Sequence, residues 1–180
     1  MRTKTTQHLT LSALLCALLC VLSQILIPLP PVPASLALLA VHLCGALLGS
    51  RWGAAAVGCY VLLGAAGVPV YAGFSGGVSV LFGPTGGFLI GYIPCAFVSG
   101  LLSRRLGFSR RALMLAMTAG TLICCAMGMA WFSLTTGATL AASFGACVLP
   151  FIPGDAIKIV FAAALCLRLQ KPLRSAGLCL

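Results

Sequence analysis

Two ionisable residues stand three apart in Pro153-Gly154-Asp155-Ala156-Ile157-Lys158, and Asp155 is the only acid in the chain. Helical spacing of i and i+3 puts both side chains on one face, within reach of each other. Asp155 falls in the first turn of the helix expected to follow, where the dipole favours an anion. Arg168 marks the far end of that helix, ten residues past Lys158 and so about 15 Å away along the axis. Ionisable groups at such depth in an apolar segment are expensive and by default mark a function. Two readings follow. The pair is either a self-neutralising helix cap or the polar anchor of a small-ligand site.

A second feature is the stretch from Ala72 to Gly87, AGFSGGVSVLFGPTGG, with six glycines in sixteen residues and no charge. A loop facing water normally carries Asp, Asn or Lys, whereas irregular backbone near membrane depth is tolerated where it lines a cavity. Tyr71, Phe74, Phe82 and Phe88 offer an apolar wall there, and Ser75, Ser79 and Thr85 offer hydroxyls. The segment reads as a ligand-covering lid or as a plain turn packed on its neighbours. Gly83-Pro84-Thr85-Gly86-Gly87 lacks the lysine that a phosphate-binding loop needs. We count Asp155, Lys158, Tyr71, Phe74, Ser75, Ser79, Thr85 and Tyr92 as candidate ligand contacts.

The elements that position these residues are membrane helices. Of 180 residues, 61% are hydrophobic, and eleven Lys or Arg face a single acid. A soluble domain carries about a quarter charged residues of both signs, so this surface is not built for water. The basic residues cluster between apolar runs and form no stripe that would track nucleic-acid phosphates. A spanning helix needs roughly 20 apolar residues, which leaves room for about six crossings. The expected class is an all-α polytopic membrane protein, one integral membrane domain over 1–180. Its helices are expected at about 9–27, 35–50, 53–70, 87–103, 112–133 and 154–169. The third, rich in Gly and Ala, is expected to be central because small residues let membrane helices approach closely. Residues 28–33, with four prolines, are expected to be non-helical.

Ten of the eleven positive charges fall before the first of these helices or after the second, fourth and sixth. The opposite loops, about 28–34, 71–86 and 134–153, contain no Lys or Arg. The positive-inside rule then puts both termini in the cytoplasm. Arg2 and Lys4 before an apolar run resemble a signal peptide, but the run is long enough to span and reads as a retained first helix. On it, Ala13 and Ala17 form a small-x-x-x-small ridge beside Ser12, Cys16 and Cys20, suited to close docking within the protein or with a partner.

The remaining chemistry-bearing residues have simpler readings. Ten cysteines are scattered without metal-ligand spacing, so we expect no metal, no cofactor and no disulfide. His42 reads as a hydrogen-bonded core residue and His8 as terminal. Trp52 and Trp131 fit an interfacial aromatic belt.

In these motifs the chain resembles the BioY family, the biotin-binding S component of energy-coupling-factor (ECF) transporters. The resemblance runs from the first helix to the sixth. Its most specific pieces are Gly67-Val68-Pro69-Val70-Tyr71-Ala72-Gly73, Gly76-Gly77, Gly83-Pro84-Thr85-Gly86-Gly87 and Pro150-Phe151-Ile152-Pro153-Gly154-Asp155 with Lys158. The resemblance implies a six-helix protein of the cell membrane that takes biotin from outside. It also implies a transmembrane coupling subunit and two ATPase subunits as partners, with Ala13 and Ala17 on the docking surface. Relatives often carry a Thr-Leu-Gln-like stretch where this chain has Ser35-Leu36-Ala37, so one polar amide is missing here. The ligand group that such an amide would meet must be satisfied differently.

The main alternative is a self-sufficient vitamin carrier. Proton-coupled carriers use relays of Asp, Glu or His, and one Asp paired to a Lys is a poor relay. An enzyme is not expected. Hydrolysis wants paired carboxylates, a metal cluster or a nucleophile with a base, and the chain offers one acid and two poorly placed His.

Overall fold

The computed structural model describes residues 2–27 and 34–175. Apart from a two-residue antiparallel ribbon, it is built from helices and their connections. Along the chain come α1 (Arg2–Leu22), β1 (Leu26–Ile27), β2 (Ala34–Ser35), α2 (Ala37–Leu48), α3 (Ser50–Ala65) and α4 (Val78–Phe82). Then follow α5 (Gly86–Leu106), α6 (Arg110–Thr136), α7 (Leu140–Cys147), a 3-10 turn (Leu149–Phe151) and α8 (Ile152–Ser175). The proline-rich segment 28–33, expected to be non-helical, lies outside the described residues.

Four stretches are long and apolar enough to cross a bilayer: Thr5–Leu22, α5, α6 and Leu140–Leu173. Helices α2 and α3 have 12 and 16 residues, shorter than the expected 35–50 and 53–70. Gly49 alone joins them, at φ +82°, a left-handed turn that glycine enters without penalty. Helix α1 begins at Arg2 and ends at Leu22, so Leu26 and Ile27 are strand where helix was expected. Helix α8 starts at Ile152 because a proline in the first turn costs no hydrogen bond. It runs on to Ser175, past the expected 169. The expected outer loops 71–86 and 134–153 each contain a short helix, α4 and α7.

The central helix is α2, not the Gly/Ala-rich α3. Eleven of the twelve α2 residues are buried, and α1, α3, α5 and α8 all pack on it. A helix enclosed in this way faces protein all round, so it need not match the hydrocarbon thickness. Only part of α3 is buried, along Gly53, Ala56, Val57, Tyr60, Val61 and Gly64. Its remaining small residues point outward, and a Cβ on Gly58 would meet nothing within 4 Å. Small residues permit close approach without dictating which helix uses it.

Glycine governs the α2–α5 crossing. A Cβ on Gly100 would lie 2.6 Å from the Gly45 carbonyl oxygen, and one on Gly45 would lie 2.5 Å from that of Ala96. The crossing is closed by backbone on both sides and has no side chain that can give way. At one end of it, the Arg104 guanidinium donates to the Leu48 carbonyl at 3.1 Å, a cation on the last turn of α2. Outward-facing Leu62, Leu122, Leu134 and Phe161 are each more than 60% exposed, an apolar exterior suited to lipid.

Among the described residues, most buried polar groups inside the bundle are paired, and Ser12 Oγ and His8 Nδ1 are left without a partner. His42 on α2 bridges two helices, with Nε2 3.0 Å from the Thr121 hydroxyl on α6 and Nδ1 3.3 Å from that of Ser99 on α5. Thr121 spends its own proton on the Met117 carbonyl, so its oxygen accepts from Nε2–H. Ser99 pairs the other ring nitrogen. His42 is the core residue expected.

Gly100→Ala should lower stability by about 1–3 kcal/mol through overpacking at the crossing. The unfolding midpoint of detergent-purified protein reads the effect, and an unchanged midpoint would mean that α2 and α5 can move apart freely.

Candidate functional site

Asp155 and Lys158 form the ion pair that their spacing suggests. Lys158 Nζ lies 3.1 Å from Asp155 Oδ1, and the two residues are 8% and 9% exposed. Ile152, Pro153 and Gly154 begin α8, so Asp155 occupies the first turn, where unpaired backbone N–H groups favour a negative charge. Burial penalises both charges, and the pair holds them by neutralising each other. Among the described residues, the Nζ–Oδ1 contact is the hydrogen bond shown for either side chain.

The pair opens onto a cavity of about 140 Å³. Six of the eight candidate contacts line it: Asp155, Lys158, Tyr71, Ser75, Thr85 and Tyr92. Phe74 and Ser79 are not among the lining residues. The Phe74 ring is 73% exposed and points away, because its backbone adopts φ +56° and turns the side chain outward. Leu38, Phe88 and Leu89 supply apolar wall, and Ser35 brings a hydroxyl; Ala37, which stands at the position of the missing amide, is buried and is not among the lining residues. Cys124, Cys125 and Cys147 also face the cavity. No local pattern singled them out, because α6 and α7 reach the site only through tertiary packing.

The glycine-rich segment forms one wall. Tyr71 is fully buried; its hydroxyl donates to the Val61 carbonyl at 2.6 Å. Its ring meets Tyr60 edge-on at 5.6 Å and lies where a Cβ on Gly64 would stand. Tyr71 N–H donates to the Ser75 carbonyl at 3.0 Å, closing a tight turn whose Ser75 hydroxyl donates back to Ala72 at 2.8 Å. Farther on, α4 sets Val80 on the cavity, and Thr85 stands at the N-terminus of α5. Trp131 has a role beyond an interfacial belt. Its indole N–H donates to the Gly83 carbonyl at 3.1 Å, and its Cβ packs where Gly87 has none, so α6 holds the Gly-Pro-Thr-Gly-Gly turn in place.

Ala13 and Ala17 lie on the exposed face of α1. The parallel residues Ser12 and Cys16 are buried, so the two small-residue ridges of this helix have different neighbours. Among the described residues no group of three His, Cys, Asp or Glu has the arrangement of a metal site.

Lys158→Met strands a buried carboxylate and should cost about 3 kcal/mol, whereas replacing both partners removes the uncompensated charge. Unfolding midpoints should therefore place Asp155→Asn/Lys158→Met above Lys158→Met alone. The reverse order would show that the pair does not carry the burial cost.

A sequence model described as the BioY family matches residues 1–175. The biotin transporter BioY of Thermotoga maritima is 44% identical over 156 residues, covering 86% of this chain and 90% of its own length. The biotin transporter BioY of Rhodobacter capsulatus is 43% identical over 140 residues, covering 72% and 74%. Among solved structures, the S-component for biotin from an ECF-type ABC transporter superposes with a TM-score of 0.88. That match has 28% identity and covers 95% of this chain and 94% of the other. The matched span includes the glycine-rich wall and the Asp155–Lys158 pair, and this chain belongs to the BioY family.

Proposed function

We propose that this protein is the biotin-capture subunit of an ECF-type importer in the cell membrane. The observation that carries the reading is the Asp155–Lys158 pair, which faces a mostly apolar cavity in a chain whose relatives are biotin transporters. A pocket with apolar walls and a few fixed polar points is the usual form of a small-molecule site. Biotin's ureido ring offers two N–H donors and one carbonyl. Asp155 accepts from the N–H groups, and Lys158 donates to the carbonyl while holding Asp155 ionised. Hydrogen bonds to charged groups are the stronger kind. Leu38, Phe88 and Leu89 enclose the sulfur ring, and Tyr71, Ser75, Thr85 and Tyr92 complete the polar contacts. Phe74 and Ser79 belong to the same wall without facing its interior.

The chain forms a single membrane domain with six crossings, α1, α2, α3, α5, α6 and α8, and both termini lie in the cytoplasm. Support comes from the charges: Arg51, Arg104, Arg105, Arg110 and Arg111 lie at helix ends and Arg168 and Lys171 in the last third of α8, all on the side to which alternate connectivity brings them. The cavity then opens toward the outer half of the bilayer. Binding is the whole task of this chain, with no reaction catalysed. Energy comes from a transmembrane coupling subunit and two ATPase subunits, which the likeness to an ECF S-component supports. Ala13 and Ala17, exposed on α1, form the docking ridge.

Calorimetric titration of the detergent-purified protein with biotin, with thiamine and riboflavin as controls, should give one-to-one binding of biotin alone. Heat with none of the three, from folded protein, would defeat the reading. Asp155→Asn should weaken biotin binding by about 10- to 100-fold, the worth of a hydrogen bond to a charged group. Unchanged affinity would remove Asp155 from the site. Ala13→Leu/Ala17→Leu should abolish co-purification with the coupling subunit while the melting temperature stays near that of the parent protein. Retained co-purification would move the docking ridge elsewhere.

A further inference from the structure

Beyond the cavity wall lies a set of polar contacts that the binding reading leaves unused. Ser23 and Gln24 follow the last turn of α1. Ser23 is fully buried, and its hydroxyl is shared between the carbonyls of Cys20 and Val70. Gln24 Nε2 donates to the same Val70 carbonyl at 2.9 Å, and Gln24 Oε1 accepts from the Phe74 N–H at 2.8 Å. One primary amide, a donor and an acceptor on a single plane, therefore grips the turn between α3 and α4 at Val70 and Phe74, with a longer bond of 3.4 Å to the Pro69 carbonyl. Phe74 is the non-glycine residue with positive φ among the described residues, at +56°, a conformation that an L-residue adopts only at a cost. Its exposed ring does not hold it there. The cavity residues Tyr71 and Ala72 lie between the two gripped positions, and Ser75 adjoins the second.

We infer that Gln24 is a positioning residue of the binding site. It locks the 70–75 turn in its left-handed conformation, keeps Tyr71 and Ser75 on the cavity wall, and so sets how fast a bound ligand leaves. Gln24 does not line the cavity itself. The ligand half of this inference rests on the biotin reading, while the loop half stands on geometry alone. The two halves have separate readouts.

Hydrogen exchange of the 66–77 segment in ligand-free protein should quicken about tenfold in Gln24→Ala, with α5 and α6 unaffected, as expected for losing two hydrogen bonds worth roughly a factor of ten. Biotin release from the same variant should quicken by about the same factor, with association changed much less. Adding Phe74→Gly, which lets the turn take positive φ without strain, should bring both rates back toward those of the parent protein. If Gln24→Ala does not fold, Gln24→Glu replaces it; this variant keeps the acceptor for Phe74 but sets an oxygen against the Val70 carbonyl, and the same acceleration is expected. Unchanged exchange overturns the clamp. Faster exchange with unchanged biotin release overturns its link to the site. A defect that Phe74→Gly fails to relieve makes Gln24 a general structural residue and also overturns the inference. A parent protein that binds no biotin defeats the functional reading, and exchange alone then decides the clamp.

Discussion

A backbone N–H or C=O left unpaired in hydrocarbon costs several kcal/mol, and that cost governs where this chain can leave the helical path. It does so most conspicuously between Ala65 and Val78, where much of the irregular turn is paired with neighbouring elements. The Gly77 N–H donates to the Gly64 carbonyl at 2.7 Å, and the Tyr71 N–H donates to Ser75. The Val70 carbonyl takes protons from Ser23 and Gln24. The Gly83 carbonyl accepts from the Gly86 N–H and from the Trp131 indole. The non-helical backbone here is therefore a feature that neighbouring helices sustain, and it forms one wall of the cavity because they do.

The same low dielectric explains the single acid. Desolvating one charge alone is prohibitive, whereas a pair at 3.1 Å on consecutive turns of α8 neutralises itself. Such a pair is not an efficient source of stability, since well-packed apolar residues often serve as well. The pair lines the cavity rather than the packed core. His42 is the contrasting case. Its two ring nitrogens are consumed by Ser99 and Thr121, so it joins α2 to α5 and α6 and has nothing left for a ligand.

Packing rests on glycine where helices cross and on large apolar residues where they face outward. The α2–α5 contact is backbone against backbone at Gly45, Ala96 and Gly100. On α5 and α6, Gly120 lies against Ser99 and Cys95, and Gly128 lies against Phe88. Without a hydrophobic drive between helices in lipid, this shape fit is a main source of association. It also fixes α5 and α6 as a rigid frame, from which Thr85, Phe88 and Tyr92 on one side and Cys124 and Cys125 on the other reach the cavity.

Composition, charge placement and local spacing were enough to establish the class of the protein and its central ion pair. Apolar runs and clusters of Arg are properties of short segments, and an i, i+3 pair meets wherever a helix forms. The glycine-rich segment stood out for a related reason, its lack of charge, and Tyr71, Ala72, Ser75, Val80 and Thr85 do line the cavity. The choice of α2 over α3 as the central helix was not legible, because small residues allow close contact on any face and only the full set of neighbours selects one. The contacts of Gln24 with Val70 and Phe74 span 46 and 50 residues and follow no periodicity. Phe74 looked like a wall residue by type, yet its positive φ turns the ring outward. Such contacts exist only once helices distant in sequence have packed, and tertiary structure alone decides them.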